Sequence, residues 1–365
     1  MKRNENRIFI WGTSEKTDLI VKSCRTLSSY SILGFIDNDK NKWGTYHMGY
    51  MVFSPEVLYE EHPDYVVLLM YNSNPVISQI ERMFPHHTFI VEDRLFFVKN
   101  SIYRRYADTD DEEINTVVDY IKANSLGVFN YPFVKPYYQM TFDVRYDENC
   151  GMFYVIHGDK NLYFKSQLDS REKVENYYRE LLIEQDILSP HRYTTSSFDI
   201  KKGDILLDVG AAEGIFSLEK IEAASKVIIV ESDRDWINAL KKTFSNYIEK
   251  VVIINKYATV YDEGDYCRLD TVINEKIDFV KMDIEGEEWN ALNGMEGIIT
   301  QSDELRIVAC SYHRDCDQEL IESFFDKHSI IHETSDGYMW FPNPEKDSIS
   351  NSLNRGVIRG IRRLP

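Results

Sequence analysis

The ten residues Ile205 to Gly214, ILLDVGAAEG, constrain this chain more than any others in it. Apolar strand positions lead to an acid, a glycine turn follows, and a helical sequence, IFSLEKIEAA, begins at once. Twenty-three positions after Asp208, a second strand over Lys226 to Val230 ends on Glu231. Strand, glycine turn, helix and strand-terminal acid form the front half of a nucleotide-binding βαβ unit. Such a turn brings backbone N–H groups to a ligand at a helix N-terminus, and the acid accepts two ribose hydroxyl protons. A dinucleotide loop would place glycine at 210, 212 and 215, where this chain has Gly210, Ala212 and Ile215. The loop is therefore not shaped for a pyrophosphate. Its D-x-G-x-x-x-G spacing suits S-adenosylmethionine (SAM), whose ribose and methionine tail lie over the turn with no phosphate to cradle.

A length of 365 residues predicts two or three domains with room for real cores. The net charge of −18 disfavours nucleic acid or an anionic membrane as a general partner. No run approaches the ~18 apolar residues a spanning helix needs. The N-terminal MKRNENRIFIW holds a short apolar strand rather than a signal-peptide core, so a cytoplasmic location is expected. The five cysteines (Cys24, Cys150, Cys267, Cys310 and Cys316) form no CxxC pair and read as reduced thiols. Cys310, His313 and Cys316 lie close in sequence, but their spacing matches no zinc ribbon or finger, and no metal is expected.

Three regions and a tail follow along the chain. Residues 1–98 alternate strand and helix signals and predict a small Rossmann-like parallel α/β domain: strands at Arg7 to Trp11, Ile32 to Ile36, Tyr65 to Met70 and Thr88 to Val91, with helices at Asp18 to Leu27 and Pro75 to Phe84. Ser54 and Pro55 mark a further helix start. Residues 99–200 read as a connector and lid, with an acidic helix start at Asp108 to Glu113, aromatic hairpins between Phe142 and Phe164, and a charged helix over Arg171 to Gln185. Residues 201–345 carry the opening motif, a helix over Asp235 to Phe244, and strands at Val251 to Ile254, Ile277 to Met282 and Leu305 to Cys310. A closing antiparallel pair is expected between Ile330–Glu333 and Tyr338–Phe341. That order predicts an α/β fold, a class I methyltransferase-type seven-stranded sheet. Residues 346–365 read as a basic tail, with Arg355, Arg359, Arg362 and Arg363 folded back on the protein's acidic surface.

The fourth strand of the third region ends in Asp283-Ile284-Glu285-Gly286. Ligands of open α/β sheets sit outside the carboxyl ends of the strands, so Asp283 and Glu285 emerge at the reacting edge. Either acid can instead cap the following helix, Glu287 to Leu292, for which Gly294 is a plausible C′ residue. The fifth strand ends in Ser311-Tyr312-His313 and places His313 on the same rim as a base, a substrate ligand or a structural histidine.

DVGAAEGIFSL, the acid in VIIVESD, Arg268-Leu269-Asp270, IDFVKMDIEGEEWNAL and the strand ending in SYH together resemble the FkbM family of SAM-dependent methyltransferases. The resemblance spans roughly residues 200–340 and is most specific in Asp283 to Trp289. It implies O-methylation of a sugar, glycan or related hydroxyl, as in polysaccharide biosynthesis. It also implies a cofactor site of Asp208, Gly210, Ala211, Glu213, Gly214, Glu231, Ser232 and Asp283. The first region, through its strand, IDND, KWG and SPE, resembles more weakly the Rossmann-like N-terminal domains of bacterial nucleotide-sugar acetyltransferases. Its first loop, Gly12-Thr13-Ser14-Glu15, has one glycine, leaving Asp37 as a hydroxyl ligand or the domain as a scaffold.

Upstream of the core, Ser189-Pro190-His191-Arg192-Tyr193 reads either as a Pro-led turn or as a segment whose His191 and Arg192 close over SAM or grip an anionic substrate. The expected mechanism is in-line methyl transfer to a hydroxyl, with His313 or Asp283 as base and Glu285 positioning the acceptor. Two rivals remain at this level: an NAD(P)-dependent oxidoreductase on the same βαβ unit, and a non-catalytic SAM- or nucleotide-sugar-binding protein.

Overall fold

The run Ile8 to Trp11 is buried along its whole length, as a strand covered on both faces requires. It belongs to the first of two units in the computed structural model, which describes residues 6–23, 30–70, 72–93, 95–342 and 351–363. Cys24 and the end of the expected helix to Leu27 lie outside the described residues. Unit 1 comprises 1–128 with 342–352, and unit 2 comprises 129–341 with 353–365. The chain thus divides at 128, inside the segment read from sequence as one connector.

In unit 1, β1 (Asn6–Trp11), α1 (Glu15–Ser23), β2 (Tyr30–Ile36), β3 (Tyr46–His47), β4 (Tyr50–Phe53), β5 (Tyr65–Leu68), α2 (Asn74–Met83) and β6 (Ile90–Glu92) lead to two helices, α3 (Phe96–Arg105) and α4 (Glu112–Ala123). The strand order is β3-β4-β2-β1-β5-β6, with β1 parallel to both β2 and β5. Asp111 caps α4 through bonds from the N–H groups of Glu113 (2.9 Å) and Ile114 (3.1 Å). Ser54 and Pro55 open only a short 3-10 turn, Pro55–Tyr59, whose backbone Ser54 does not cap with its side chain. Asp37, at the end of β2, already holds the Lys42 ammonium at 3.0 Å and the Thr13 hydroxyl.

Unit 2 opens with the hairpins of β7 (Arg145–Asp147), β8 (Met152–His157) and β9 (Lys160–Tyr163), then α5 (Arg171–Glu184). The core follows as β10 (Ile205–Val209), α6 (Ile215–Lys220), β11 (Lys226–Glu231), α7 (Arg234–Thr243) and β12 (Val251–Asn255). A small pair, β13 (Tyr257–Ala258) and β14 (Tyr266–Cys267), precedes α8 (Leu269–Val272), β15 (Phe279–Met282), α9 (Glu288–Asn293), α10 (Glu296–Gln301), β16 (Glu304–Cys310) and α11 (Asp317–Lys327). The last strands are β17 (Ile331–Thr334), β18 (Met339–Trp340), β19 (Leu353–Asn354) and β20 (Val357–Arg363).

The main sheet runs β12-β11-β10-β15-β16-β20-β17, parallel except for β20, which pairs antiparallel with both neighbours. This is the class I methyltransferase strand order, and it matches the expected fold class. The closing pair is different. β17 pairs with β20, not with the Tyr338–Phe341 segment, and β18 pairs separately with β19. The arginine-rich end is accordingly no tail over its described residues. Val357 and Ile358, with the half-buried Ile361, give it the apolar positions of a strand between β16 and β17, and Arg359 is buried beside the first two.

Candidate active site

The turn between β10 and α6 is fixed by what stands beside it. Gly210 has φ +74, and a Cβ there would lie 1.9 Å from the Asp283 carbonyl oxygen. Gly214 has φ +82, with Leu240 and Phe244 packed where a side chain would go. Ala212, between them, also takes a left-handed φ of 47°. Backbone held in this region by a residue with a Cβ costs about 1–3 kcal/mol and persists where surroundings enforce it. Two groups enforce it: Lys281 Nζ donates to the Gly210 carbonyl, and Glu231 accepts from Ala212 N–H at 2.9 Å.

Asp208 does not face the ligand side of that turn. It is fully buried, accepts from the Ser217 hydroxyl at 2.7 Å and pairs with Lys281 at 3.2 Å. Its part is to brace the loop from below. Glu231 spans Ala212 N–H and Asp233 N–H with its two oxygens, and each oxygen keeps a lone-pair direction for a ribose hydroxyl. Ser232 is half-buried beside it.

Asp283 leaves β15 at the point where the sequence placed it, and it gathers more partners than the sequence announced. Tyr193 O–H donates to Oδ2 at 2.7 Å. His191 Nε2 lies 3.7 Å from Oδ2, and His313 Nε2 lies 3.5 Å from Oδ1. Burial alone would raise this carboxyl, but Lys281, His313, His191 and the Tyr193 bond outweigh it and hold it at about 2. The group is a carboxylate at any working pH. Burial and the Lys281 and His313 charges push His191 down to about 4, against the opposing pull of Asp283, so it stays neutral.

His313 has the opposite character. Burial opposes its charge, but the contacts to Glu288, Asp283 and Glu285 prevail and push it up to about 9. Nδ1 stands 3.1 Å from Glu288 Oε1, and Glu288 is fully buried and also accepts from Ile284 N–H at 2.9 Å. With that value His313 carries its proton at neutral pH, so of the two candidates Asp283 is the one free to accept a proton.

A cavity of about 540 Å³ lies at the carboxyl edge of β10 and β15, walled on its other side by α5. The loop residues Gly210 to Glu213, with Ile215, Phe216, Lys281, Asp283 and Tyr312, form one side; Tyr177, Glu180 and Glu184 line the α5 side. Glu285, with φ 57°, stands at this cavity with its side chain 88% exposed. Burial pushes Glu213 up to about 7 against its bonds from Tyr177 and the Ile215 N–H. Glu184 is driven well above its usual range by burial and by Asp283, Glu213 and Glu180. The lining is rich in carboxyl groups, while its Lys281 is held by Asp208.

Of the SPHRY segment, His191 lies behind Asp283, 3.1 Å from the Tyr312 hydroxyl, rather than on the cavity wall. Arg192 does not reach the cavity: its guanidinium holds the carbonyls of Thr194 and Gln185, a structural clamp in place of the expected substrate grip. Tyr193 is the residue of this segment that reaches Asp283. Gly294 ends α9 with φ −82°, so it is no left-handed cap.

Among the described residues, Asp283, Glu288 and His313, and separately His191, Asp283 and Cys310, stand within reach of one ion. In the first group the carboxylates face opposite nitrogens of one imidazole, which is an ion-pair chain and not a converging ligand set. Cys316 is exposed and belongs to neither group.

Residues missed from sequence are Lys281, Tyr193, Tyr312, Tyr177 and Glu184. Lys281 left one signal, a lone charge in the apolar run Phe279 to Met282.

Residues 4–83 match the family model described as C2185-like, N-terminal. Residues 256–328 match the Methyltransferase FkbM domain. No curated protein matches the chain. Among solved structures, the FkbM methyltransferase of Methylobacillus flagellatus is similar at 15% identity over 98% of this chain and 90% of that one, with a TM-score of 0.44. Precorrin-6y C5,15-methyltransferase of Geobacter metallireducens shows 12% identity over 46% and 85%, TM-score 0.34. Magnesium protoporphyrin IX methyltransferase of Synechocystis shows 12% over 44% and 71%, TM-score 0.30. Values this low carry nothing about substrate. What stands is a methyltransferase FkbM domain match, over residues 256–328, inside a sheet of methyltransferase order.

Proposed function

We propose that this chain is a SAM-dependent O-methyltransferase whose acceptor is a hydroxyl of a sugar, glycan or related metabolite. The observation that carries the reading is the meeting of the Gly210–Gly214 turn with the Asp283 carboxylate at one cavity. The residues suit the cofactor. Gly210 lets the turn close onto the Asp283 strand end where a Cβ has no room, and Glu231 has acceptor capacity for a ribose. When bound there, SAM supplies an electrophilic methyl group. The Ile215 side chain on the cavity wall stands where a dinucleotide loop needs glycine, which disfavours the oxidoreductase reading.

The chain's own residues then have two tasks. The cavity wall aligns the acceptor oxygen, a contribution of about 7–11 kcal/mol when the geometry is right. Asp283 Oδ accepts the hydroxyl hydrogen bond and then its proton. A carboxyl held near 2 is a weak base, yet an acceptor oxygen gaining the methyl group, with the bonding pair left on sulfur, would shed its proton to it readily, because a protonated ether is a far stronger acid than a carboxylic acid. Glu285 orients the acceptor at the cavity.

Calorimetric titration with SAM and with NADH tests the cofactor: binding of SAM alone is expected, and binding of NADH alone ends the reading. For the acceptor, extracts from cells with and without the gene are compared for a lost O-methyl group in their glycans. With the acceptor in hand, Asp283→Ala and Glu285→Ala should keep SAM affinity while turnover falls. Normal turnover in both removes the assigned roles.

A further inference from the structure

The Glu288 side chain of the Asp283–Trp289 motif takes no direct part in the proposed methyl transfer, and its surroundings give it a role beside it. We propose that Glu288 is a positioning residue of the site: its buried carboxylate holds the Nδ1 side of the His313 ring and so turns Nε2 onto Asp283, fixing the carboxylate that receives the acceptor's proton. This rests on the methyltransferase reading only for the identity of that proton.

Three observations support it. Glu288 and the His313 side chain are both removed from water, at 0% and 4% exposure, so their 3.1 Å contact acts in a low dielectric. The Ile284 N–H bond to Glu288 Oε1 ties the carboxylate to the backbone of the Asp283–Gly286 turn, so it cannot move without that turn. On the far side of the ring Nε2 has Asp283 Oδ1 at 3.5 Å and Glu285 Oε2 at 3.8 Å. One imidazole therefore stands between an acid outside the cavity wall and two acids on it. A histidine oriented by a buried acid on one nitrogen presents the other in a defined direction, the same logic that orients catalytic histidines elsewhere. The groups facing His313 are Asp283 just after β15, Glu285 and Glu288 from the turn and α9, His191 from the segment before the core, and Asp317 at the start of α11; Tyr312 and Phe341 pack on its ring.

The test uses the full chain, isotope-labelled at histidine, and follows the His313 ring by NMR as pH rises, with assignment by His313→Gln. The wild-type ring is expected to stay charged well above neutral pH. In Glu288→Gln its titration midpoint should fall by roughly 1–3 pH units, the effect of losing one adjacent opposite charge. Glu288→Asp, which keeps the charge but withdraws it, should fall between the two. SAM affinity, measured on the same samples, should stay within about a factor of three of wild type, since Glu288 does not line the cavity. A ring in Glu288→Gln that titrates as in wild type overturns the proposal. So does a wild-type ring that titrates at or below the ordinary histidine value, which needs no variant to fold. Failure of the wild-type chain to bind SAM would instead overturn the methyltransferase reading and leave the ring titration to judge Glu288 alone.

Discussion

Asp208 and Lys281 are register partners on adjacent strands, and their side chains form a buried ion pair of 3.2 Å beneath the Gly210–Gly214 turn. The same ammonium donates to the Gly210 carbonyl, so one cation ties the strand before the turn to the turn itself.

Lys281→Met leaves Asp208 buried without its counter-charge and should cost about 3–5 kcal/mol in denaturant unfolding. Adding Asp208→Asn to that variant removes the orphaned charge and should recover part of the loss, a non-additivity expected of contacting residues. Equal stability of the single and double variants would show that the pair does not act as a unit.

Gly210→Ala and Gly203→Ala separate close approach from backbone conformation. Both positions have positive φ, but a Cβ at 203 meets nothing within 4 Å, while at 210 it meets the Asp283 carbonyl. Gly203→Ala should cost about 1–2 kcal/mol, the left-handed penalty alone. Gly210→Ala should cost roughly 3 kcal/mol or more and abolish SAM binding, because the turn and the Asp283 strand end must separate. Unfolding curves and calorimetry read both, and comparable costs at the two sites would refute the close-approach argument.

Glu213 predicts a pH signature. Its native value of about 7 lies above its ordinary one, so between pH 4.5 and 7 the folded chain binds more protons than the unfolded chain. Stability from this group is therefore present below 4.5, declines as pH rises through 7 and is flat beyond. The swing is on the order of 3 kcal/mol. Subtracting the pH profile of Glu213→Gln from that of wild type isolates it. A difference curve that is level from pH 4.5 to 8 would rule out a buried, proton-binding Glu213.

What was readable in sequence divides along a physical line. Gly210, Gly214, Glu231 and Asp283 could be placed because turn chemistry and strand ends are written in residue type and local order. Lys281 could not, since its meaning depends on Asp208 lying across from it on another strand, 73 positions away. His313 was found, but its charge state depends on Glu288, an acid that on sequence grounds looks like any helix-start carboxylate. Arg192 suggests a ligand grip by residue type, but the backbone carbonyls of Thr194 and Gln185 take up that capacity.

Glu231 carries a prediction on the cofactor alone. If its oxygens take ribose hydroxyls, Glu231→Ala removes hydrogen bonds to a charged acceptor of about 1.5–3 kcal/mol each, a loss of roughly 10–1000-fold in SAM affinity. Glu231→Gln, which keeps one acceptor, should fall between. Unchanged affinity in the Ala variant by calorimetry would take Glu231 out of the site.

Arg359 links the misread end of the chain to the site. From β20 its guanidinium donates to the Tyr193 carbonyl at 3.1 Å and the Arg192 carbonyl at 2.6 Å, and Tyr193 in turn donates to Asp283. The arginine is buried, so its fork replaces water for two carbonyls that would otherwise lack donors. Arg359→Met should destabilise the chain by about 2–4 kcal/mol and raise hydrogen exchange across residues 189–195. Arg359→Lys restores the charge without the planar fork and should recover less than the full loss. Because the anchored segment carries Tyr193, turnover in Arg359→Met should fall more than SAM affinity does. Exchange rates in 189–195 that match wild type would show that the β20 arginine does not hold this segment.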